Sequence, residues 1–586
     1  MTEPALIGAT PPAFGLTDPR PVDPDRPPTL EPWWRSALIY EVYLRSFADG
    51  DGDGTGDLAG VRSRLPYLKA LGIDAIWFTP WYVSPLADGG YDVADYRAID
   101  PAFGTLAEAE ILIAEALELG IRTIVDVVPN HVSDRHAWFQ AALAAGPGSP
   151  ERERFWFRPG RGALGDLPPT GWTSNFGGVP WSRTTNPDGT PGDWYLHLFA
   201  PEQPDVNWDH PDVRTEHEEI LRFWFDRGAG GVRIDSAALL VKDPTLPEVP
   251  EHPVPGHHPN TDRDEIHDIY RAWRAVADSY PGERVLVGEI WLADAERFAK
   301  YLRPGELHSA FNFDFMARPW DAAALAASID DTLAAHAPVG APATWVLSNH
   351  DVTRPVTRYG REDSSFAFTR KRSGIPTDLA LGRRRARAAA LLAAALPGSL
   401  YIYQGDELGL DEVDVPADEI QDPMHARSGG VDPGRDGCRV PLPWSGEQPP
   451  FGFSAIDAAG RTARPWLSQP AHWAGLTVEA QLADPGSMLR LYRAMIRIRR
   501  EEPGLGDGPF EWLPSLPGVL AFSRGDRFVN VTNMTDGPVP LPPDSLVLLA
   551  SDDVTDGGLP PDATAWLRTT SVTAGGSARR SPSGES

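Results

Sequence analysis

GVRIDSAALL, residues 231–240, runs through Val232 and Ile234 and then closes on a carboxylate, Asp235. A run of branched apolar residues ending in an acid reads as a strand buried on both faces, with its acid at the carboxyl end. Two other stretches share that shape: VLVGEIW (285–291) holds Glu289, and WVLSNHD (345–351) ends in Asp351. Closed strand–helix barrels put their chemistry at the carboxyl ends of their strands. Working outward gives further strand candidates in LIYEVYLRSF (38–47), AIWFTP (75–80), RTIVDVVPN (122–130), HSAFNFDF (308–315) and SLYIYQGDE (399–407). Amphipathic helical stretches separate most of them, among them Leu106–Leu119, Val213–Arg227 and Arg383–Leu396. Eight strands alternating with helices predict an α/β fold, a (β/α)8 TIM barrel and not an open sheet. Neighbouring strands would bring three carboxyl groups into one pocket, and a close carboxyl pair suits cleavage of a glycosidic bond.

The rest of the chain divides around that barrel. Residues 1–30 are Pro-rich and lack periodicity, which predicts a disordered arm. The barrel is expected over 31–132 and 208–502, interrupted after its third strand by a Gly-, Pro-, Trp- and Asn-rich stretch, 133–207. A loop of that length inside a compact domain is usually functional, so it reads as an inserted subdomain roofing the pocket. A second irregular stretch, 409–475, follows the eighth strand and precedes a helix, Ser487–Glu502. Residues 503–572, with VLAFSRG and FVNVTNM between Gly and Pro turns, predict a C-terminal antiparallel β-sandwich, and 573–586 a disordered tail. The basic run RRRARAAALLAAA (383–395) reads as a barrel helix with a solvated arginine end.

Composition narrows the partners. A formal charge of −29 argues against nucleic acid or an anionic membrane and favours a small neutral substrate. Twenty tryptophans suit an enzyme whose indole faces stack on sugar rings, although most are expected to fill core and loop packing. Cys438 is the one cysteine, which excludes an intrachain disulfide. The amino terminus lacks the basic region and apolar core of a signal peptide, and no apolar run has the length of a membrane span. These features together predict a cytoplasmic protein.

DVVPNH (126–131), GVRIDSAALL (231–240), GEIW (288–291) and SNHD (348–351) resemble, in order and spacing, the four signature regions of the α-amylase superfamily, glycoside hydrolase family 13. GTGDL (54–58), GYDVADY (90–96), QPDVNW (203–208) and QGDELG (404–409) extend the likeness over roughly 35–545, and the QPDVNW form looks like the oligo-1,6-glucosidase and α-glucosidase branch. The resemblance implies Asp235 as nucleophile, with Arg233 holding it ionised, Glu289 as general acid/base beside an aromatic wall at Trp291, and Asp351 as transition-state binder. It further implies that His350 and His131 bind sugar hydroxyls, that Tyr91 stacks on the glucosyl ring, and that Asp126 and Asn130 shape the site. Asp92 and Arg439 would hold the 4-hydroxyl of a terminal glucose and close the pocket, with Arg435, four residues before Arg439, as the alternative.

DGDGDGTGDL (49–58) sets Asp49, Asp51, Asp53 and Asp57 at alternate positions, with the Thr55 carbonyl between them. Oxygen ligands at that spacing can wrap a hard cation, and the resemblance implies a structural Ca²⁺. In this branch a bulkier Val after the nucleophile accompanies α-1,6 preference. Ser236 stands there, which leans the expectation towards an exo-acting α-1,4-glucosidase working on maltose and short oligosaccharides. The alternatives are a transglycosidase or isomerase of the trehalose synthase or sucrose isomerase type, an oligo-1,6-glucosidase, and a non-catalytic binding subunit.

Overall fold

The computed structural model describes residues 32–570 apart from 187, 457–460 and 556. The expected arm over 1–30 and tail over 573–586 lie outside the described residues. The central sheet contains β1 (Leu38–Val42), β2 (Ala75–Phe78), β3 (Arg122–Val127), β4 (Gly231–Ile234), β5 (Val285–Gly288), β6 (Ser309–Ala310), β7 (Thr344–Val346) and β8 (Ser399–Tyr403). All its pairings are parallel, in the order β6-β5-β4-β3-β2-β1-β8-β7. The Asn312 N–H donates to the Thr344 carbonyl at 3.2 Å, which brings β6 to β7 and closes the ring. A helix follows each strand: α1 (Leu58–Leu71), α2 (Leu106–Glu118), α3 (Pro211–Asp226), α4 (Ile266–Asp278), α5 (Ala295–Lys300), α6 (Ala322–His336), α7 (Leu379–Ala395) and α8 (Met488–Glu501).

Local chemistry sets these boundaries. Asp57 starts α1 by accepting from Gly60 N at 2.6 Å, and Thr105 and Glu108 exchange hydrogen bonds across the first turn of α2. The expected sixth strand shrinks to two residues, because Asn312 caps a short helix, Phe313–Ala317, by accepting from Phe315 N at 3.1 Å. The FDF half of HSAFNFDF is therefore helical.

Between β3 and α3 the chain forms a helix, Ala137–Ala145, and a three-stranded antiparallel sheet of Phe157–Arg158, Pro191–Leu196 and Trp181–Thr185. Its own small core contains Trp156, Trp172, Trp181, Leu196 and Leu198. Beyond α8 lies a five-stranded antiparallel sheet, ordered 511–512, 519–524, 528–533, 563–568 and 546–550, with a two-stranded sheet of 539–540 and 558–559. Val529, Val531 and Leu567 meet Val539 and Leu559 in the core between them. This unit docks on α7, where Trp566 Nε1 donates to the Leu391 carbonyl at 3.0 Å. The arginines of α7 are not simply solvated. Arg385 Nε meets Asp562 at 2.9 Å and Arg387 Nε donates to the Ser551 carbonyl at 2.8 Å.

Candidate active site

The carboxyl ends of β3, β4 and β5 deliver Asp126, Asp235 and Glu289 to a single guanidinium. Arg233, pointing inward from β4, reaches Asp235 at 2.8 Å and Asp126 at 2.9 Å through Nη1, and Glu289 at 2.6 Å through Nη2. The main chain continues the ladder past the strand ends: Asp235 N donates to the Val127 carbonyl and Glu289 N to the Ile234 carbonyl, each at 2.9 Å. The carboxyl positions are therefore fixed by the sheet itself.

The Arg233–Asp235 pair forms, and burial works against the charge that it favours. Burial pushes the Asp235 carboxyl well above the usual carboxylate range; Arg233 opposes this, whereas Glu289 and Asp126 reinforce it. One cation shared among three buried acids cannot neutralise them all. Asp126 is pushed up to about 7 by burial, against Arg233. Trp291 stands beside Glu289 as expected, and its indole N–H donates to Glu289 Oε1 at 3.0 Å. The ring lies parallel to Phe313, with centroids 3.9 Å apart, and is 38% exposed. The Ser236 N–H supplies a further bond to Glu289, 3.0 Å to Oε2, from a left-handed backbone with φ 47°.

Asp351 comes from the end of β7. Its Oδ1 meets Arg439 Nη2 at 2.8 Å, Arg435 Nη1 at 3.2 Å and His350 Nε2 at 3.4 Å. Burial raises this carboxyl, but His350, Arg435, Arg439 and Arg233 outweigh burial and hold it well below the usual carboxylate range. His350 stacks on Tyr91, centroids 5.2 Å apart and planes 11° apart, while the Tyr91 hydroxyl donates to Asp126 at 3.1 Å. His131 is buried, with Nε2 3.0 Å from both the Tyr91 carbonyl and Gln203 Nε2, and burial lowers it to about 4. Asn130 accepts from Lys242 at 2.6 Å, and Lys242 also pairs with Asp205 at 2.7 Å.

The expected Asp92–Arg439 pair does not form. Asp92, 0% exposed, accepts from Ser84 Oγ at 2.8 Å and from the N–H groups of Ala87 and Asp88 at 3.1 Å, so its oxygens hold a turn together. Burial pushes it up to about 6, with those donors working against the rise. Asp88 takes the expected place of Asp92, bonding Arg435 Nη2. Arg435 in turn is held by Asp422, 2.6 Å from its Nε, and reaches Asp351, while Arg439 spans the His350 carbonyl and Asp351. The signal for Asp88 lay in the two glycines that follow it. Gly89 and Gly90 have φ of 59° and 107°, and that left-handed turn separates Asp88 from the run that carries Tyr91 and Asp92. Lys242 and Asp422 carried no such signal.

In the acidic loop, carboxylate oxygens of Asp49, Asp51 and Asp57 come within 4.8 Å of one another. Burial, then Asp53 and Asp49, raise the Asp51 carboxyl, as crowded acids do without a counter-charge. This all-oxygen set fits a hard divalent cation. Asp53 lies outside that trio, and its carboxylate accepts from Thr55 N at 2.7 Å.

The family model for the alpha-amylase catalytic domain matches residues 41–508. The chain belongs to the α-amylase family. Within it the chain groups with α-glucosidase and oligo-1,6-glucosidase members. It is 34% identical over 539 residues to a probable alpha-glucosidase of Rhizobium meliloti (strain 1021), covering 88% of this chain and 91% of that relative. It is 35% identical over 549 residues to a trehalose-6-phosphate hydrolase of Escherichia coli (strain K12), covering 86% and 91%. Among solved structures it resembles the alpha-glucosyl transfer enzyme XgtA with a TM-score of 0.80 and 33% identity, covering 92% of this chain and all of that one. Among the described residues no helix is long and apolar enough to cross a membrane.

Proposed function

We propose that this family member is a retaining, exo-acting α-glucosidase that releases glucose from the non-reducing end of maltose and short α-1,4-linked oligosaccharides. Asp235 attacks the anomeric carbon and forms a glucosyl ester, while Glu289 protonates the departing oxygen and then draws a proton from the incoming water. Asp351 and His350 hold the 2- and 3-hydroxyls as the ring flattens. One observation carries the exo-acting reading: Asp88, Arg435 and Asp351 form a buried ion network across one end of the pocket. In this reading the network takes the 4-hydroxyl of a terminal glucose and blocks a further sugar. Ser236 beside the nucleophile supports the α-1,4 preference, although one small side chain is worth only about 1–3 kcal/mol of discrimination.

A second reading, glucosyl transfer or isomerisation, draws on the parallel Trp291–Phe313 pair beside Glu289 and on the likeness to a glucosyl transfer enzyme. An aromatic face there would hold a sugar acceptor in place of water. A product time course on maltose, isomaltose, trehalose and sucrose, with Asp235→Asn as control, separates the readings. Glucose release from maltose is expected. Sugar transfer exceeding glucose release selects the second reading, and activity surviving in Asp235→Asn overturns the mechanism.

A structural Ca²⁺ held by Asp49, Asp51 and Asp57 completes the proposal. Chelation should lower the melting temperature and leave kcat on maltose at 25 °C unchanged; unaltered melting removes the metal.

A further inference from the structure

Glu41 lies on β1 inside the barrel, 2% exposed, paired in register with Trp77 of β2 and Tyr403 of β8. The mechanism above gives it no part. Its Oε1 accepts from the His350 main-chain N–H at 3.3 Å and stands 2.5 Å from His350 Nδ1. Two lone pairs do not meet at hydrogen-bond distance, so a proton lies between the carboxyl and the ring. On the far side of the ring, Nε2 faces Asp351 Oδ1 at 3.4 Å. A bare lone pair there would repel the Asp351 carboxylate, whereas an Nε2–H group is attracted to it.

We propose that Glu41 is a positioning residue that, in its protonated form, donates to His350 Nδ1, locks the imidazole as its Nε2–H tautomer, and so presents a donor to the sugar hydroxyl bound beside Asp351. The proposal rests on the reading of His350 and Asp351 as hydroxyl binders. The surroundings favour that state. Burial pushes the Glu41 carboxyl well above the usual carboxylate range, Arg233 opposing and Asp351 and Asp406 assisting. Burial also holds the His350 ring well below its usual value, with Asp351 opposing and Arg439, Arg233 and Arg435 assisting. The phenols of Tyr43, Tyr91 and Tyr403 complete the shell. When solvent takes the Nε2 proton, the shared proton passes to Nδ1, the Glu41 carboxylate accepts Nδ1–H, the tautomer inverts and Nε2 turns a lone pair on Asp351. The donor to the sugar is then lost.

The test measures binding of a thio-linked maltose by titration calorimetry from pH 5 to 9. A Glu289→Gln background removes the acid/base from the titration. With Glu41 present, affinity should fall about tenfold or more at the alkaline end. With Glu41→Gln that extra fall should vanish, because the amide donates to Nδ1 at every pH. Glu41→Met, with no donor, should bind about 10–100-fold more weakly throughout, and recovery in the Gln variant distinguishes positioning from loss of fold. Parallel pH curves for Glu41 and Glu41→Gln overturn the proposal. If His350→Ala and Asp351→Asn bind the thiosugar as well as their parent, the underlying reading fails instead.

Discussion

Asp88 and Asp92 stand four positions apart in one turn, and only Asp88 meets an arginine. Asp92 spends its oxygens on Ser84, Ala87 and Asp88, a structural duty. Asp88→Ala should therefore raise KM for maltose about 10–100-fold, the worth of a charge-assisted hydrogen bond. Asp92→Ala should change KM less than about threefold while costing about 1–3 kcal/mol of stability; steady-state kinetics and urea unfolding give the comparison, and the reverse ranking would restore the Asp92–Arg439 pair. The catalytic acids were legible because each ends an apolar strand, whereas choosing between two aspartates in a glycine turn needed the φ angles. Asp406 offers a pH test at the same scale. Its Oδ2 accepts from Ser348 at 2.7 Å, its Oδ1 has no hydrogen-bond partner, and burial pushes it up to about 7, with Arg354 opposing. A carboxyl raised in the folded state contributes stability that is complete below its unfolded value, near 4, and lost as pH climbs through 7. Relative to wild type, Asp406→Asn should thus be more stable at pH 8 than at pH 5 by about 2–3 kcal/mol. Urea midpoints at the two pH values check the sign.

Helix α7 shows what an element's sequence reveals and what it withholds. GRRRARAAALLAAA (382–395) is legible as a helix from its alanine and leucine content, and Asp378 caps it by accepting from Ala380 and Leu381 N–H at 3.0 Å. Its partner was not legible, because four arginines look like a solvated face until a second sheet supplies Asp562 and the Ser551 carbonyl. The small alanines allow that close approach, so Trp566 and Thr564 reach the Leu391 and Ala388 carbonyls at 3.0 and 2.9 Å. Ala389, 2% exposed, has no space to give. Ala389→Leu should cost about 1–3 kcal/mol by overpacking while leaving kcat within about twofold, since none of the site residues named above lies on α7. A calorimetric scan with maltose kinetics checks both halves. Strand β6 illustrates the opposite limit: two residues of ladder are too few for periodicity to announce.

At the scale of the whole molecule, the barrel fixes the acids and two excursions from it enclose them. The excursion after β3 and the one after β8 are far apart in sequence, and their meeting was not legible, because a main-chain carbonyl leaves no mark in composition. Arg427 makes the join: its Nη2 donates to the Gly177 carbonyl at 2.6 Å and to the Val179 carbonyl at 3.2 Å, and its Nε to Gly177 at 3.1 Å. Beneath it Phe176, Ala200 and Met424 form a shared apolar cluster, and the Arg435 guanidinium lies 4.8 Å from the Phe176 ring centroid. The roof is thereby tied to the same arginine that holds Asp88 and Asp351. Once a glucosyl ester forms on Asp235, water and a second sugar compete for it, and a closed roof favours the bulkier acceptor by excluding water. Arg427→Ala removes the three donors and leaves the carboxylates and Arg233 untouched. The ratio of transfer products to free glucose at high maltose should fall about threefold or more, with KM raised and the rate of ester formation from an aryl glucoside nearly constant. Chromatography of products at several maltose concentrations provides the measurement, and an unchanged ratio would mean that acceptor choice is made within the barrel, at Trp291 and Ser236, and not by the join above it.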